Sequence, residues 1–249
     1  GGFKAEKGRY HLYISMACPW AHRTLITRKL KGLENCFSVS NTKPYMGPLS
    51  WSFEPEQGRL FLPDTARDET VDASNDEYVE YLFELYQLVD PDYSGRATVP
   101  VLWDKQQQTI VSNESAEIMR MMNTEFAEFA TEGFDLYPAH LRTEIEALNT
   151  RIYPAVNNGV YRSGFATTQE AYEEAVIPLF AMLDELECLL QSRRYLTGST
   201  LTEADVRLFP TLVRFDSVYA GHFKCGLRRL VDYPSLWAYT RDIYQLPGI

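Results

Sequence analysis

The stretch Met16-Ala17-Cys18-Pro19-Trp20-Ala21-His22-Arg23 decides the fold of this chain. It follows an apolar, strand-like run over residues 10–16 and precedes apolar residues at helical spacing. Pro19 is therefore expected at the first helical position, where its missing N–H group costs nothing. The sequence predicts a strand that passes into a helix, with Cys18 at or next to the helix N-cap.

A cysteine in this position is a candidate nucleophile. The unpaired N–H groups and the positive end of the helix dipole favour an anion there. Such a placement typically lowers the pKa of a cysteine well below ~8.5. The alternative is a buried cysteine that only packs. Position 21 holds alanine, so the pattern favours a monothiol chemistry, resolved by a small external thiol, over a dithiol oxidoreductase.

Composition restricts the classes of function. A chain of 249 residues with a net charge of −10 has room for two domains, and this charge argues against nucleic acid or an anionic membrane as partner. No apolar run is long enough to span a membrane. The four cysteines are scattered, which predicts neither a disulfide framework nor a metal site. We expect a cytoplasmic protein, with an organellar targeting segment ahead of Gly1 as the alternative.

The first half of the chain is predicted to form a small α/β domain over residues 1–123. Between residues 43 and 76 lies a long segment without periodicity, in which Trp51 belongs either to a lid over a ligand or to a satellite packing cluster. Pro100 marks a sheet edge, a strand start or a cis turn. The predicted strands cover 10–16, 37–40, 96–103 and 109–111, and the predicted helices cover 19 to about 33, 76–89 and 116–122.

The second half is predicted to be an all-helical domain over residues 137–249. Thr202 is expected to cap a helix with Asp205 as reciprocal capping partner, and Leu201 with Val206 forms a hydrophobic staple. Residues 157–159, Asn-Asn-Gly, indicate a turn or a helix C-cap. The predicted helices cover 137–153, 168–190, 203 to about 219 and 235–244.

Together these features resemble the glutathione transferase family, and within it the glutathionyl-hydroquinone reductases, the xi class. The resemblance covers nearly the whole chain and implies a thioredoxin-like N-terminal domain and an all-α C-terminal domain. The motifs that carry it are Cys18-Pro19-Trp20-Ala21-His22-Arg23, Thr98-Val99-Pro100-Val101-Leu102-Trp103-Asp104, Asn157-Asn158-Gly159-Val160-Tyr161, Arg214-Phe215-Asp216 and His222-Phe223-Lys224-Cys225.

The resemblance implies an enzyme with Cys18 as the catalytic residue. The cysteine attacks the sulfur of a glutathionyl-hydroquinone, the hydroquinone leaves, and a second glutathione resolves the enzyme–glutathione mixed disulfide. Glutathione is the co-substrate, with no permanently bound cofactor and no metal. A homodimer is expected from the family.

The resemblance also implies the binding residues. Val99 pairs its main chain with the cysteinyl unit of glutathione, ahead of a cis Pro100. Glu114 meets the α-amino group, and Ser115 with helix N–H groups meets the α-carboxylate. The implied glutathione residues are Trp51, Arg96, Val99, Pro100, Glu114 and Ser115, and the implied aromatic-substrate residues are Trp20, Tyr153, Tyr161, Tyr219 and His222.

Two other functions stay open at this point. One is an omega-like thiol transferase or dehydroascorbate reductase, and the other is a transferase-like domain kept as a non-catalytic binding module. The motifs at 157–161 and 222–225 favour the hydroquinone reductase over the omega-like enzyme. The intact Cys18 and the Glu114-Ser115 pair argue against the binding module.

Overall fold

The chain forms two compact units, residues 1–133 and 134–249, in a computed structural model that describes residues 2–54, 79–133 and 135–249. The first unit takes in residues 124–133, which lie between the two domains predicted from the sequence. Phe126 packs into the core of this unit, and the amide of Thr131 donates to the carbonyl of Lys31 at 3.2 Å. Among the described helices, none is both long and apolar enough to cross a membrane.

The described residues of the first unit form a mixed four-stranded sheet, three α-helices and a short 3-10 helix (Ala127–Phe129). The strands and α-helices are β1 (Tyr10–Ile14), α1 (Pro19–Leu30), β2 (Phe37–Asn41), α2 (Leu82–Val89), β3 (Val101–Asp104), β4 (Thr109–Ser112) and α3 (Ser115–Thr124). The strand order is β2-β1-β3-β4, with β1 parallel to β2 and antiparallel to β3. All five residues of β1 are buried, as expected for an inner strand covered on both faces. The predicted thioredoxin-like class is confirmed.

Three predicted boundaries are corrected at the elements that surround Cys18. β1 ends at Ile14, because the next residue, Ser15, accepts a hydrogen bond from the Cys18 amide at 3.0 Å and turns the chain. α1 ends at Leu30, since Gly32 follows with a φ of +62°, a common helix stop. β3 begins only after Pro100, which has no N–H group to give to a sheet ladder. The Val99–Pro100 peptide is cis, as the resemblance implies.

The second helix is shorter than predicted. Residues 55–78 lie outside the described residues. They include residues 76–78 of the predicted helix and residues 55–76 of the long segment without periodicity. The next residues are extended, because Phe53 donates its amide to the carbonyl of Glu80 at 2.9 Å and Leu82 donates its amide to the carbonyl of Trp51 at 2.8 Å. α2 therefore begins at Leu82.

The second unit is helical, and its described residues contain no strand, which confirms the predicted class. Two π-helical turns interrupt the α-helices. The elements are α4 (Arg142–Ile152), the first π turn (Tyr153–Asn157), α5 (Gly159–Phe165), α6 (Gln169–Leu190), α7 (Glu203–Leu212), the second π turn (Phe215–Tyr219), α8 (Ala220–His222) and α9 (Pro234–Tyr244).

The predicted capping box of α7 is present and lies at the centre of this unit. The buried carboxylate of Asp205 accepts hydrogen bonds from the Thr202 amide at 2.8 Å, the Leu196 amide at 2.9 Å and the Tyr239 hydroxyl at 2.8 Å. Complete burial raises the pKa of the Asp205 carboxyl, while these hydrogen bonds act in the opposite direction. The box therefore joins α7 to α9 and to the preceding loop.

One prediction in the second unit is confirmed and two helix boundaries are wrong. Asn158 is the C-cap residue of the first π turn, where its amide donates to the Tyr153 carbonyl at 2.9 Å, and it is also the N-cap residue of α5. The helix predicted over residues 137–153 begins only at Arg142. The helix from Glu203 stops at Leu212 instead of running to Tyr219, because the second π turn follows it.

Candidate active site

Cys18 is the N-cap residue of α1, with Pro19 at the first helical position, as predicted. Its carbonyl accepts from the His22 amide at 3.1 Å, and its side chain is 9% exposed. The first turn of α1 contains no acidic residue. Cys18 therefore lies at the positive end of this helix, where an anion is favoured.

The thiol of Cys18 lies against the strand that opens with the cis proline. Its Sγ atom is 3.5 Å from the carbonyl oxygen of Val99, to which the protonated thiol donates a weak hydrogen bond. This contact favours the thiol, whereas the helix N-terminus favours the thiolate.

The other cysteines do not lie at a helix N-cap. Cys36 and Cys225 are buried, as Cys18 is, and burial raises the pKa of both thiols, that of Cys225 to about 11. Cys188 is exposed on α6. Cys18 alone among the four stands at a helix N-cap beside a cis proline, which makes it the strongest candidate nucleophile.

The predicted pair Glu114 and Ser115 stands at the start of α3. Glu114 is the N-cap residue with an exposed side chain, and Ser115 is the first helical residue and is buried. Ser112 holds this entry, since its hydroxyl accepts from the Glu114 amide at 3.1 Å and donates to Glu117 at 2.9 Å. The pair thus presents a carboxylate, a hydroxyl and free helix N–H groups, which suit the amino-acid end of glutathione.

Arg23 closes the motif that begins at Cys18, and it was not among the residues predicted for the site. Its side chain is 2% exposed, its Nη1 donates to the Ser115 hydroxyl at 3.3 Å, and its guanidinium lies 4.4 Å from the centre of the Trp20 ring. A serine oxygen that accepts this bond has its own proton left to donate. Arg23 therefore connects α1 to the Glu114-Ser115 pair, and its position after Cys18 on α1 was the only sequence signal for it.

The remaining predicted residues of the first unit are more dispersed. Trp51 packs partly buried against the core of this unit, and its main chain pairs with the start of α2. Arg96 lies exposed in the segment before β3, where its carbonyl accepts from the Tyr93 hydroxyl at 2.9 Å. Trp20 is partly buried against the same core. The structure thus places Cys18, Val99 and Pro100 side by side and links Ser115 to α1 through Arg23.

An aromatic cluster in the second unit contains two of the predicted tyrosines. The hydroxyls of Tyr161 and Tyr219 are 3.4 Å apart, and Phe223 meets each ring edge-on at 5.3 Å between ring centres. Phe165 stacks on Tyr161 with ring centres 6.4 Å apart. We call Tyr161, Phe165, Tyr219 and Phe223 the aromatic cluster.

The two phenylalanines of the aromatic cluster were not predicted, although their spacing is a usable sequence signal. Phe165 and Phe223 each follow a predicted tyrosine at the i+4 spacing of helical neighbours. Gly164 is required beside them, because a Cβ atom there would lie 2.3 Å from the ring of Phe223. Of the other predicted residues, Tyr153 is 44% exposed at the start of the first π turn and His222 is exposed at the end of α8.

A metal centre finds no support within residues 2–54, 79–133 and 135–249, where no group of three or more His, Cys, Asp and Glu side chains could hold an ion. The chemistry of the described residues is instead that of a thiol beside hydrogen-bonding groups, with phenol hydroxyls in the helical unit.

Comparison with known families and structures agrees with this chemistry. Residues 17–125 match the glutathione S-transferase N-terminal domain, and residues 169–242 match the glutathione S-transferase C-terminal domain. The glutathionyl-hydroquinone reductase YqjG of Escherichia coli K12 is 56% identical over 249 residues, which are 100% of this chain and 73% of the relative. The glutathionyl-hydroquinone reductase PcpF of Sphingobium chlorophenolicum is 54% identical, over 94% of this chain and 71% of the relative.

Solved structures give the same relationship. The glutathione-bound structure of YqjG superposes with a TM-score of 0.89 at 55% identity and covers 100% of this chain and 77% of that one. The xi 1 glutathione transferase of Trametes versicolor superposes with a TM-score of 0.87 at 51% identity and covers 98% of this chain and 82% of that one.

Proposed function

Because the chain belongs to the glutathionyl-hydroquinone reductases, the xi class of the glutathione transferase family, we propose that it reduces glutathionyl-hydroquinones to hydroquinones with glutathione. The observation that carries the proposal is Cys18, a monothiol at the N-terminus of α1 and 3.5 Å from the carbonyl of Val99. The sequence similarity supports the substrate, and the thiol environment supports the chemistry.

The reaction consists of two attacks by a thiolate on a sulfur atom, first on the thioether sulfur of the conjugate and then on a disulfide. The Cys18 thiolate attacks the sulfur of the conjugate, an S–S bond forms, and the bond between that sulfur and the aromatic carbon breaks. The carbon takes a proton, so that the hydroquinone leaves reduced. A second glutathione thiolate then attacks the glutathione sulfur of the mixed disulfide, and glutathione disulfide leaves with Cys18 regenerated as a thiolate. Two electrons pass from the two glutathione sulfurs to the ring, and no further oxidant or reductant takes part.

Glutathione is held in this proposal by the first unit. The Val99 main chain pairs with the cysteinyl unit beside Cys18, and the cis Pro100 follows it. The Glu114 carboxylate binds the α-amino group, and the Ser115 hydroxyl, which already accepts from Arg23, donates to the α-carboxylate. Trp51 and Arg96 flank the peptide.

The hydroquinone ring is held by phenol hydroxyls of the second unit, chiefly Tyr161 and Tyr219, with Tyr153 as a further donor. Two hydroxyls 3.4 Å apart allow one oxygen between them to accept a hydrogen bond of normal length from each. Trp20 of the first unit is a further residue predicted for the substrate, and His222 is the least supported of these residues because its side chain is exposed. The proposal includes a homodimeric state and a cytoplasmic location. The four free cysteines agree with the reducing conditions of the cytoplasm.

The test of the proposed function uses Cys18→Ser with Cys188→Ser as matched control. Wild-type protein and the control are expected to release hydroquinone from the conjugate and, without a second glutathione, to retain one glutathionyl group detectable by intact-protein mass spectrometry. Cys18→Ser should do neither, since a serine hydroxyl cannot form the mixed disulfide. Near-wild-type turnover by Cys18→Ser would disprove the mechanism.

The alternative functions are separated by substrate. An omega-like enzyme favours dehydroascorbate or a simple mixed disulfide over the conjugate, and a binding module turns over none of them. The omega-like alternative is less supported, because YqjG and PcpF both carry the reductase name. Assays of the three substrates side by side, each at the same glutathione concentration, decide between these functions.

A further inference from the structure

Asn157 has a structural environment that the proposed reaction does not use. It closes the first π turn, its side chain is 2% exposed, and its Nδ2 donates to the Arg207 carbonyl at 3.2 Å and to the Thr211 hydroxyl at 2.8 Å. A buried amide donating to two acceptors on another helix fixes the position of the backbone that carries it. π-helical turns are rare and occur frequently at functional sites.

The first π turn and α7 lead to the two tyrosines of the aromatic cluster. Asn157 lies two residues before the start of α5, whose first turn carries Tyr161. Thr211 lies in the last turn of α7, and the second π turn that follows ends at Tyr219. The two segments are thus joined by the hydrogen bonds of Asn157 to Arg207 and Thr211 and by the contact of the tyrosine hydroxyls 3.4 Å apart. The hydrogen bonds of Asn157 therefore restrain the contact of the two hydroxyls.

The spacing of the two hydroxyls matters for the ring. An O–H donor binds well only when its oxygen lies ~2.5–3.0 Å from the acceptor, and the bond weakens steeply when the angle is poor. A small shift of α5 against the second π turn therefore leaves one hydroxyl without the shared oxygen. Such misplacement by residues that never touch the substrate is a known way to lose rate.

We propose that Asn157, through its hydrogen bond to Thr211, is a positioning residue that sets the spacing of Tyr161 and Tyr219 for the phenolic oxygen of the substrate. This inference rests on the proposed function. It assigns to the Asn157-Asn158-Gly159 motif a role in substrate specificity, and it leaves the thiol chemistry at Cys18 unchanged.

The test compares four variants. Asn157→Ala removes the donor, Thr211→Val removes the hydroxyl acceptor, and Thr211→Ser restores the hydroxyl. Asn149→Ala is the matched control, because Asn149 is also a buried asparagine of this unit whose Nδ2 donates to an α7 residue, Glu203, at 3.1 Å. For each protein, kcat/KM is measured with a glutathionyl-hydroquinone and with a plain glutathione mixed disulfide that has no ring, and the melting temperature is recorded.

The expected result is a selective loss. Asn157→Ala and Thr211→Val should lower kcat/KM for the glutathionyl-hydroquinone by about three- to tenfold, the value of one hydrogen bond, and change the value for the disulfide less than about twofold. Thr211→Ser should restore the wild-type ratio of the two activities. Asn149→Ala should lower the melting temperature without changing this ratio.

Two results overturn the proposal. One is an Asn157→Ala protein that loses both activities equally, or in the same proportion as Asn149→Ala. The other is a Thr211→Val protein with the wild-type ratio of the two kcat/KM values. If Asn157→Ala does not fold, the comparison of Thr211→Val with Thr211→Ser decides alone. A wild-type protein that acts on the disulfide but not on the conjugate overturns the proposed function itself, which is seen before any variant is compared.

Discussion

Removal of the two clustered hydroxyls, singly and together, is the most informative perturbation of the helical unit. Tyr219 is 1% exposed, so Tyr219→Phe deletes one oxygen without opening the ring's packing against Phe223. A hydrogen bond to a substrate oxygen is worth about 0.5–1.5 kcal/mol, which corresponds to roughly two- to twelvefold in kcat/KM. Tyr161→Phe should cost a similar factor, and Tyr153→Phe less, since Tyr153 is 44% exposed.

The double variant separates a shared oxygen from independent contacts. If Tyr161 and Tyr219 donate separately, their costs add to about 1–3 kcal/mol, or roughly five- to 150-fold. If they donate to one oxygen, the second deletion costs more after the first, because the remaining donor has carried the bond alone. The spacing of 3.4 Å predicts the second outcome.

The assay measures kcat/KM with a glutathionyl-hydroquinone and with a plain glutathione mixed disulfide. Tyr172→Phe is the control, because the hydroxyl of Tyr172 donates to the Lys224 carbonyl at 2.7 Å and has no proposed role with the ring. The loss should be confined to the hydroquinone conjugate in Tyr161→Phe and Tyr219→Phe. An equal loss for both substrates, or no loss in any of the three tyrosine variants including Tyr153→Phe, refutes the placement of the ring.

Three further results are expected. The alkylation rate of Cys18 by iodoacetamide should rise with pH at a midpoint below the ~8.5 of a free cysteine, and a midpoint at or above that value contradicts the role of the helix N-terminus. Asp205→Ala should destabilise the protein by about 3 kcal/mol or more in urea unfolding, because four buried donors lose their acceptor. Asp232 is an exposed capping residue, so Asp232→Ala should cost at most about 1 kcal/mol, and equal costs argue against the role of Asp205. Burial lowers the pKa of His11 from 6.5 to about 3. As the pH falls, the unfolded chain therefore binds a proton at His11 before the folded chain does, and the free energy of unfolding should fall by at most about 1.4 kcal/mol per pH unit between pH 6.5 and 3. His11→Leu should flatten this slope, and an unchanged slope refutes the role given to His11.

Much of the fold was predictable because its signals are local. Cys18-Pro19 lies between a strand pattern and a helical pattern, and Thr202 with Asp205 forms a capping box within four residues. The errors fall where backbone pairing or an extra helical residue changes the outcome. α2 starts late because the main chain of residues 51–53 forms hydrogen bonds with residues 80–82. Both π turns insert an extra residue into a helix, which the spacing of apolar residues does not predict.

The sequence by itself determined the two-domain class, the strand-to-helix junction at Cys18-Pro19 and the capping box of α7, since these depend on residue types a few positions apart. Only the tertiary structure decided which distant groups meet. Arg23 reaches Ser115 across 92 residues, the Cys18 thiol reaches Val99 across 81, and Tyr161 meets Tyr219 across 58. Such contacts follow from how helices and strands pack together, and packing depends on shape and volume that no local period in the sequence encodes.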